Sequence, residues 1–446
     1  MWIGSKVHSP PASQKMPSEK NCFERRDLSR IQSFYTMTLF RDRMLNRKLQ
    51  ISAAPRRLAG WFFLGILLLA FAGTARADLS SVFTNSSYRA AIARRASIIY
   101  IQCHGLGYGD LSCYGQTNFQ TPNLDQLAAQ GMLFTHFTPG DTNPAIAEAA
   151  LLTGSLTNNS GVSVAQTLKN IGYATGMIGE WPLPGKPWDQ GFDDFAGFLN
   201  PDEGTNYYPD SFWRYTPKTY YNAISNCWTA WQPGDGPNNG GRELIFQNSG
   251  GQKVRYLPDF MLAGWLQNFV RSHQPDRYNA FRPFFLLVNL PAPRSATPGE
   301  DNFPVPSDAP YDDESWPQAA KDRAALLTHL DGDIGSLFQQ LNELGMTNNL
   351  AIFFTSSAAP ERFADPRLNF FRTPADFRGQ TNNAWSAPMI VCWPGTVSPG
   401  QISNYPWSNQ DFLPTATQIG FIPPPDHIDG HSILPVLLGR NPPGTP

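Results

Sequence analysis

Short apolar runs recur along this chain, and they constrain its fold more than any other feature. The runs lie at residues 97–101, 174–179, 284–288, 350–355 and 389–393. They lack the polar alternation of a half-exposed strand, so they are typical of strands buried on both faces. Segments with apolar residues at helical spacing lie between them. The alternation predicts an α/β fold with a mainly parallel mixed sheet that helices cover on both faces.

Three helices are predicted from apolar spacing and from start and stop signals, at 121–131, 163–172 and 334–345. In the second, Ser163 and Gln166 have the spacing of a capping box. Ligands of such folds bind beyond the carboxyl ends of the strands. The segments near residues 104, 180, 294 and 357 are therefore the candidates for a functional site.

The composition limits the class of protein. Of 446 residues, 41% are hydrophobic and 16% are charged, which supports a large core and argues against a disordered chain. The formal net charge is −2. Without a basic excess to neutralise phosphates, we expect no nucleic-acid partner.

The N-terminal region has the layout of a secretory signal. An uncharged apolar run covers 58–73; basic residues precede it, and Ala75-Arg76-Ala77 follows it as a small-x-small cleavage site. The run is shorter than the roughly 20 residues of a membrane span, so no stable span is expected after cleavage. We therefore predict a signal peptide over 44–77 and export to the periplasm or the extracellular space. An uncleaved signal that anchors the protein is the alternative.

The remaining chain is divided around that signal. Residues 1–43 are predicted to be a mis-called or disordered extension, with Met44 as the true start. Residues 78–95 form a lead-in, 96–437 a folded domain and 438–446 a tail. Four of the five cysteines follow the predicted cleavage site, and they allow three pairings of which spacing chooses none. Cys103 and Cys392 lie in apolar runs and are predicted to be buried thiols.

An ordered series of motifs extends over residues 96–437. Its members are Leu106-Gly107-Tyr108-Gly109-Asp110-Leu111, Thr121-Pro122-Asn123-Leu124-Asp125, Ala149-Ala150-Leu151-Leu152-Thr153-Gly154, Gly191-Phe192-Asp193-Asp194-Phe195, Arg378-Gly379, Trp393-Pro394-Gly395 and Asp429-Gly430-His431-Ser432. In sequence and order they resemble the sulfatase family. The resemblance implies an α/β/α sandwich of the alkaline-phosphatase-like kind. It also implies that the family's small C-terminal subdomain is truncated here, because the chain stops soon after Leu437.

The resemblance also implies a catalytic apparatus, which this sequence lacks. Active members use a cysteine converted to formylglycine as the nucleophile. They hold a cation, usually calcium, with aspartate and asparagine oxygens, and bind the sulfate with Lys, His and Arg. The flanking motifs fix which residues stand at those positions. They are His104 and Gly105 for two Asp, Pro144 for Cys, Glu148 for Arg, Glu180 for Lys, Pro182 and Arg294 for two His, Ser357 and Ala358 for Asp-Asn, and Thr381 for Lys.

These replacements predict a protein that keeps the scaffold but has no catalytic residue, no bound metal and no cofactor. The favoured hypothesis is an exported, inactive sulfatase-like protein that binds a sulfated or other glycan or assists an active sulfatase. A sulfuric ester hydrolase, as the family resemblance alone implies, is one alternative. A remnant without function is the other.

The replaced residues are expected to converge. If His104, Glu148 and Glu180 meet, they could hold a transition metal such as zinc; the alternative is that Arg294 pairs with one or both glutamates. Asp331 and Asp333 are predicted to stabilise the start of a helix, with a ligand role as the alternative. Two further groups are read as ordinary structure, with ligand binding as the alternative. They are the acidic and histidine cluster at 426–431 and the aromatic region around Tyr207, Trp213, Tyr215, Tyr220 and Trp228.

Overall fold

The structure of the chain is a computed structural model. It describes residues 95–141, 143–156, 161–216, 219–222, 227–230, 241–245, 248, 250–273, 283–297, 300–358, 365–371 and 386–440. The extension at 1–43, the signal at 44–77, nearly all of the lead-in, most of the tail, Arg378-Gly379 and Thr381 lie outside the described residues. These expectations therefore remain predictions.

The main sheet is mixed, and its centre is parallel. Its strands are β1 (Ser97–His104), β2 (Met132–Thr138), β3 (Ala174–Glu180), β4 (Asp194–Phe198), β5 (Ser211–Tyr215), β8 (Gly241–Leu244), β9 (Phe284–Pro293), β10 (Leu350–Ser356), β11 (Ala387–Cys392), β12 (Gln401–Ser403) and β13 (Trp407–Ser408). The order is β12-β2-β11-β10-β1-β9-β3-β4-β5-β8, with β13 also beside β2. The pairs from β10 through β4 are parallel, and β10–β11, β11–β2, β4–β5 and β5–β8 are antiparallel. A separate hairpin joins β6 (Thr219–Asn222) and β7 (Cys227–Ala230).

Helices cover both faces of this sheet. They are α1 (Pro122–Gln130), α2 (Pro144–Thr153), α3 (Val164–Asn170), α4 (Leu257–Asp259), α5 (Gln267–Ser272), α6 (Gln318–Glu343), α7 (Phe412–Ile419) and α8 (Leu434–Leu437), and a π-helical segment, Phe260–Leu266, joins α4 to α5. Within β1, Ile99 and Ile101 belong to one buried apolar cluster, whereas Ile98 and Tyr100 belong to another. Because successive side chains of a strand point to opposite faces, β1 contributes to the hydrophobic core on each side of the sheet. The α/β/α architecture expected from the sequence is confirmed.

Two local expectations need correction. Ser163 caps α3 by accepting a hydrogen bond from the Gln166 amide, but the Gln166 side chain donates to Asn170 instead of completing a capping box. Asp331 lies in the middle of α6, not at its start. It does bind a helix N-terminus, because it accepts hydrogen bonds from the amides of Asn123 and Leu124 in the first turn of α1. The partner helix is therefore one that sequence proximity did not indicate.

The cysteines and the described helices bear on the other sequence predictions. Cys103 and Cys392 are buried free thiols, as expected, and Cys113 is also free. Across the described part of the chain, none of the helices combines the length and the hydropathy needed to span a bilayer.

Candidate functional site

A cavity of about 240 Å³ opens at the carboxyl ends of the parallel strands. It is lined by His104, Asn143, Pro144, Ala145, Glu148, Glu180, Pro182, Pro201, Asn289, Leu290 and Ser357. The structure thus brings together six of the predicted positions: His104, Pro144, Glu148, Glu180, Pro182 and Ser357. Arg294 contacts Glu180, whereas Gly105 and Ala358 are not among the lining residues.

Helix α2 delivers two of these residues to the cavity. Asn143 caps the helix by accepting a hydrogen bond from the Ala145 amide, and Pro144 occupies the first turn, where its missing N–H costs nothing. Glu148 follows one turn later on the same side. Its side chain is 2% exposed, so the helix buries a carboxyl group at the wall of the cavity.

Two amide side chains bind that carboxyl group. Gln102 Nε2 donates to Glu148 Oε2 at 2.5 Å and to Asn289 Oδ1 at 2.7 Å. Asn289 Nδ2 donates to Glu148 Oε1 at 3.1 Å and to the Glu180 carbonyl at 3.0 Å. Sequence reasoning missed both amides. The available signal was a polar residue inside each of two otherwise apolar strands, since such residues need internal partners.

Burial sets the ionisation of Glu148. Desolvation raises its pKa to about 7, while the Asn289 and Gln102 amides act in the opposite direction. A buried carboxylate normally has a cationic partner or a metal. The contacts described for Glu148 supply neither.

The second glutamate has a cationic partner. Glu180 Oε1 pairs with Arg294 Nη2, and Arg294 also donates to the Pro201 carbonyl at 2.7 Å. Desolvation raises the pKa of Glu180 to about 7, although Arg294 opposes the rise. The pairing of Arg294 with a glutamate, expected as one alternative, is thus present for Glu180 and not for Glu148, which binds the amides.

His104 lies beside Glu180 in the cavity wall. Its Nδ1 lies 3.9 Å from Glu180 Oε2. Burial lowers its pKa to about 3, with Arg294 contributing in the same direction, so the imidazole is neutral at physiological pH. Within the described ranges, no three His, Cys, Asp or Glu side chains gather closely enough to hold a metal ion. Neither the zinc alternative nor the 426–431 cluster is therefore supported.

The residues that follow β1 and β10 carry few reactive side chains. The Ser357 amide donates to the Cys103 carbonyl at 2.9 Å, and Ala358 is buried. Tyr207, from the aromatic region, is buried and donates its hydroxyl hydrogen to the Arg294 carbonyl at 2.6 Å. This supports the packing interpretation for Tyr207; the side chains of Tyr220 and Trp228 lie outside the described residues.

Glu148 should make stability depend on pH. Its pKa is about 7 when folded against a usual 4.5, so between these values only the folded state keeps the proton, and stability falls as pH rises. Relative to wild type, we expect Glu148→Gln to gain about 3 kcal/mol in free energy of unfolding between pH 4.5 and pH 8. Urea denaturation across this range measures the difference.

A matched variant separates this effect from a general change in charge. Glu343 is exposed at the end of α6. Glu343→Gln should differ from wild type by a small amount that does not vary with pH. If the difference between Glu148→Gln and wild type is equally flat, Glu148 ionises normally and the explanation is wrong.

Comparisons with known proteins identify the scaffold. The family model described as Sulfatase matches residues 96–419. Human arylsulfatase A is 29% identical over 378 residues, covering 78% of this chain and 69% of that protein. N-acetylgalactosamine-6-O-sulfatase of Bacteroides thetaiotaomicron is 26% identical over 376 residues, covering 69% and 70%.

Solved structures show the same fold. The crystal structure of Ps i-CgsB in complex with k-i-k-neocarrahexaose has a TM-score of 0.56 at 21% identity, and covers 78% of this chain and 77% of that one. The PsFucS1 sulfatase from Pseudoalteromonas sp. has a TM-score of 0.56 at 20% identity, covering 82% and 76%. The family match extends over most of the described α/β/α unit, and this chain therefore belongs to the sulfatase family, with its alkaline-phosphatase-like fold.

Proposed function

We propose that this chain is a catalytically inactive sulfatase-family protein, exported from the cell, that binds a glycan or assists an active sulfatase. The observation that carries the proposal is the content of the cavity. Proline stands at the N-terminal turn of α2, and the two acidic side chains in the wall are already bound by protein groups. The sequence register gives these positions to the nucleophile and the sulfate-binding residues in active members.

The nucleophile is the first missing part. Cleavage of a sulfate ester by this family requires an oxygen nucleophile on a modified cysteine. Pro144 has no atom that could serve, and Ala145 beside it also has none. Among the described lining residues, Ser357 carries a hydroxyl group; it follows β10, and its hydroxyl donates to the Cys103 carbonyl at 3.4 Å.

The family's cation does not fit the residues present. Calcium takes six to eight oxygen ligands, mostly carboxylates and carbonyls. The strand ends offer His104 and Ser357 in place of carboxylates, and Glu180 is paired with Arg294, so the described cavity wall has too few free oxygen ligands for calcium. No step of a reaction is therefore assigned to a metal.

The electrostatics also oppose a sulfate ester. An active site for an anion presents cationic groups that are free to bind it. Here the guanidinium of Arg294 is occupied by its contact with Glu180, and His104 is uncharged. An ester sulfate entering the cavity would meet two carboxyl groups instead of a cationic clamp.

A glycan partner is supported by the relatives. Human arylsulfatase A and the bacterial N-acetylgalactosamine-6-O-sulfatase are named as sulfatases, and the structural neighbour Ps i-CgsB was crystallised with k-i-k-neocarrahexaose. We also propose a sulfatase-like unit over 96–437 and a signal peptide over 44–77, because the apolar run and the small-x-small site favour export.

A turnover measurement tests the proposal. The purified chain is incubated with 4-nitrophenyl sulfate, beside a family member of known activity prepared in the same host. We expect release of nitrophenol at the rate of buffer alone. Turnover that copurifies with the chain and disappears in Glu148→Gln would assign activity to this cavity and favour the sulfuric ester hydrolase. Glycan-array binding separates a binding protein from a remnant.

A further inference from the structure

We propose that the cavity binds a protonated primary amine carried on a small polyhydroxylated molecule, with Glu148 as the anionic partner of the ammonium group. The inference rests on the proposed function, because it assigns a ligand class to a cavity that does not cleave sulfate esters. It is carried by three features of the described residues: an uncompensated carboxyl group, a shortage of hydrogen-bond donors beside it, and an adjacent space of suitable size.

The uncompensated carboxyl group is that of Glu148. It is 2% exposed, and both of its oxygens accept from neutral amides, Gln102 and Asn289. By contrast, Glu180 across the cavity has its own guanidinium partner. Removing one partner of a buried pair is costly because the remaining charge has no compensation. A ligand cation would supply the partner that Glu148 lacks.

The surrounding network is short of donors. Gln102 Oε1 is buried and has no hydrogen-bond partner within the described residues. The nearby acceptors include both oxygens of Glu148, Asn289 Oδ1 and the Glu180 carbonyl, and the donors are the two amide groups that already serve them. An ammonium group brings three donors and no acceptor, so it complements this surplus.

The cavity has room for such a ligand. Its volume of about 240 Å³ corresponds to about eight water molecules, which is enough for one sugar-sized molecule. Pro144, Pro182 and Leu290 supply apolar surface, whereas Asn143 and Ser357 add neutral polar groups in the wall. This mixture of apolar walls and a few polar groups is typical of small-molecule sites and suits a carbon skeleton with hydroxyl groups.

The charged groups around the cavity disfavour the binding of an anion. Among the residues that line the cavity in the described structure, there is no lysine or arginine. The titratable groups that face Glu148 are Tyr100 beneath it and, across the cavity, Glu180 with its partner Arg294 and His104. Tyr100 and His104 stay neutral between pH 6 and pH 8 because burial disfavours their charged forms.

Calorimetric titration with three sugar-sized probes tests the inference. The probes are glucamine as the cation, sorbitol as its neutral counterpart and glucose 6-sulfate as the anion. At pH 8 we expect glucamine to bind at least about tenfold more tightly than sorbitol, since a close buried ion pair exceeds about 1.4 kcal/mol. Glucose 6-sulfate should not bind measurably.

The pH dependence tests whether a carboxyl group binds the amine, and a Glu148 variant identifies which one. An alkylammonium keeps its charge to about pH 10, so a change between pH 6 and pH 8 reports the protein. Glucamine affinity should rise about tenfold over this range as Glu148 ionises, although Glu180, whose pKa burial also raises to about 7, ionises over the same range. Glu148→Gln should remove both the rise and the preference over sorbitol, whereas Glu343→Gln should retain both.

A second variant tests whether the ligand occupies the cavity, and a spectroscopic measurement tests whether the variants are folded. Ala145→Leu places a larger side chain in the cavity without removing a charge, and it should also abolish glucamine binding. Circular dichroism establishes that each variant is folded. The inference is overturned if sorbitol and glucamine bind equally, if folded Glu148→Gln still prefers glucamine, or if wild type does not bind glucamine. Failure here leaves the absence of turnover intact, and turnover of nitrophenyl sulfate would instead refute the proposed function.

Discussion

Replacing Arg323 with methionine is expected to lower the free energy of unfolding by about 3–5 kcal/mol at neutral pH. Arg323 on α6 and Asp110 after β1 are both fully buried. The arginine donates from Nη2 to Asp110 Oδ2 at 2.9 Å and from Nε to Oδ1 at 3.1 Å. Methionine fills similar space but leaves the carboxylate without its cation.

The effect should depend on pH. Burial already raises the pKa of Asp110, and Arg323 is the main group that opposes the rise. Without the arginine, folding would retain a proton that the unfolded chain loses, so the destabilisation should grow as pH rises above about 4. Urea denaturation at pH 5 and pH 8 measures both values.

A surface pair provides the control for this prediction. Arg367 binds Asp365, but the arginine side chain is 73% exposed. Arg367→Met should therefore change stability little at either pH. An equally small loss for Arg323→Met would mean that the buried pair contributes nothing net. A larger loss at pH 5 than at pH 8 would contradict the role assigned to Asp110.

This buried pair also supports the candidate site. Arg323 donates to the carbonyl of Pro293 at 2.8 Å, immediately before Arg294, and binds the loop that follows His104. The long helix thus holds two segments that end in the cavity wall. We expect Arg323→Met to weaken ligand binding because these two segments lose the contact that positions them. The circular dichroism of the folded state should change little.

Gly179→Ala is the second substitution with a large expected effect, a loss of about 3–5 kcal/mol. Gly179 lies in β3 next to Glu180, and its φ of +107° is a conformation that L side chains rarely adopt. An added Cβ would lie 1.9 Å from the carbonyl oxygen of Asn289 on β9. Because the obstacle is backbone, the two strands would have to separate.

Gly172→Ala separates the two contributions. Gly172 after α3 has a similar φ of +97°, but an added Cβ would meet nothing within 4 Å. It should cost only the conformational strain, about 1–3 kcal/mol. Thermal denaturation of both variants measures the difference. Equal losses would show that the approach of β3 to β9 is loose, and the Asn289–Glu148 contact would then lack its structural support.

Local sequence patterns were sufficient to predict the strands and helices and the edge of the sheet at which they meet. Apolar runs with no polar alternation identified strands such as β1 and β9, because burial on both faces leaves that pattern in the residues themselves. Thr121-Pro122 and Gly131 bounded α1 through local backbone preferences. The convergence of His104, Glu148 and Glu180 followed from the strand ends and the family register.

The partners of the buried polar groups, in contrast, depend on the three-dimensional packing of the elements. Gln102 meets Asn289 across 187 residues, Arg323 meets Asp110 across 213, and Asp331 caps a helix some 207 residues away. Periodicity shows which side chains turn inward, but a buried donor can satisfy any acceptor that the fold brings to it. Which buried polar groups form pairs is therefore set by the packing of the layers. The same packing leaves Glu148 with amide partners and without a cationic one.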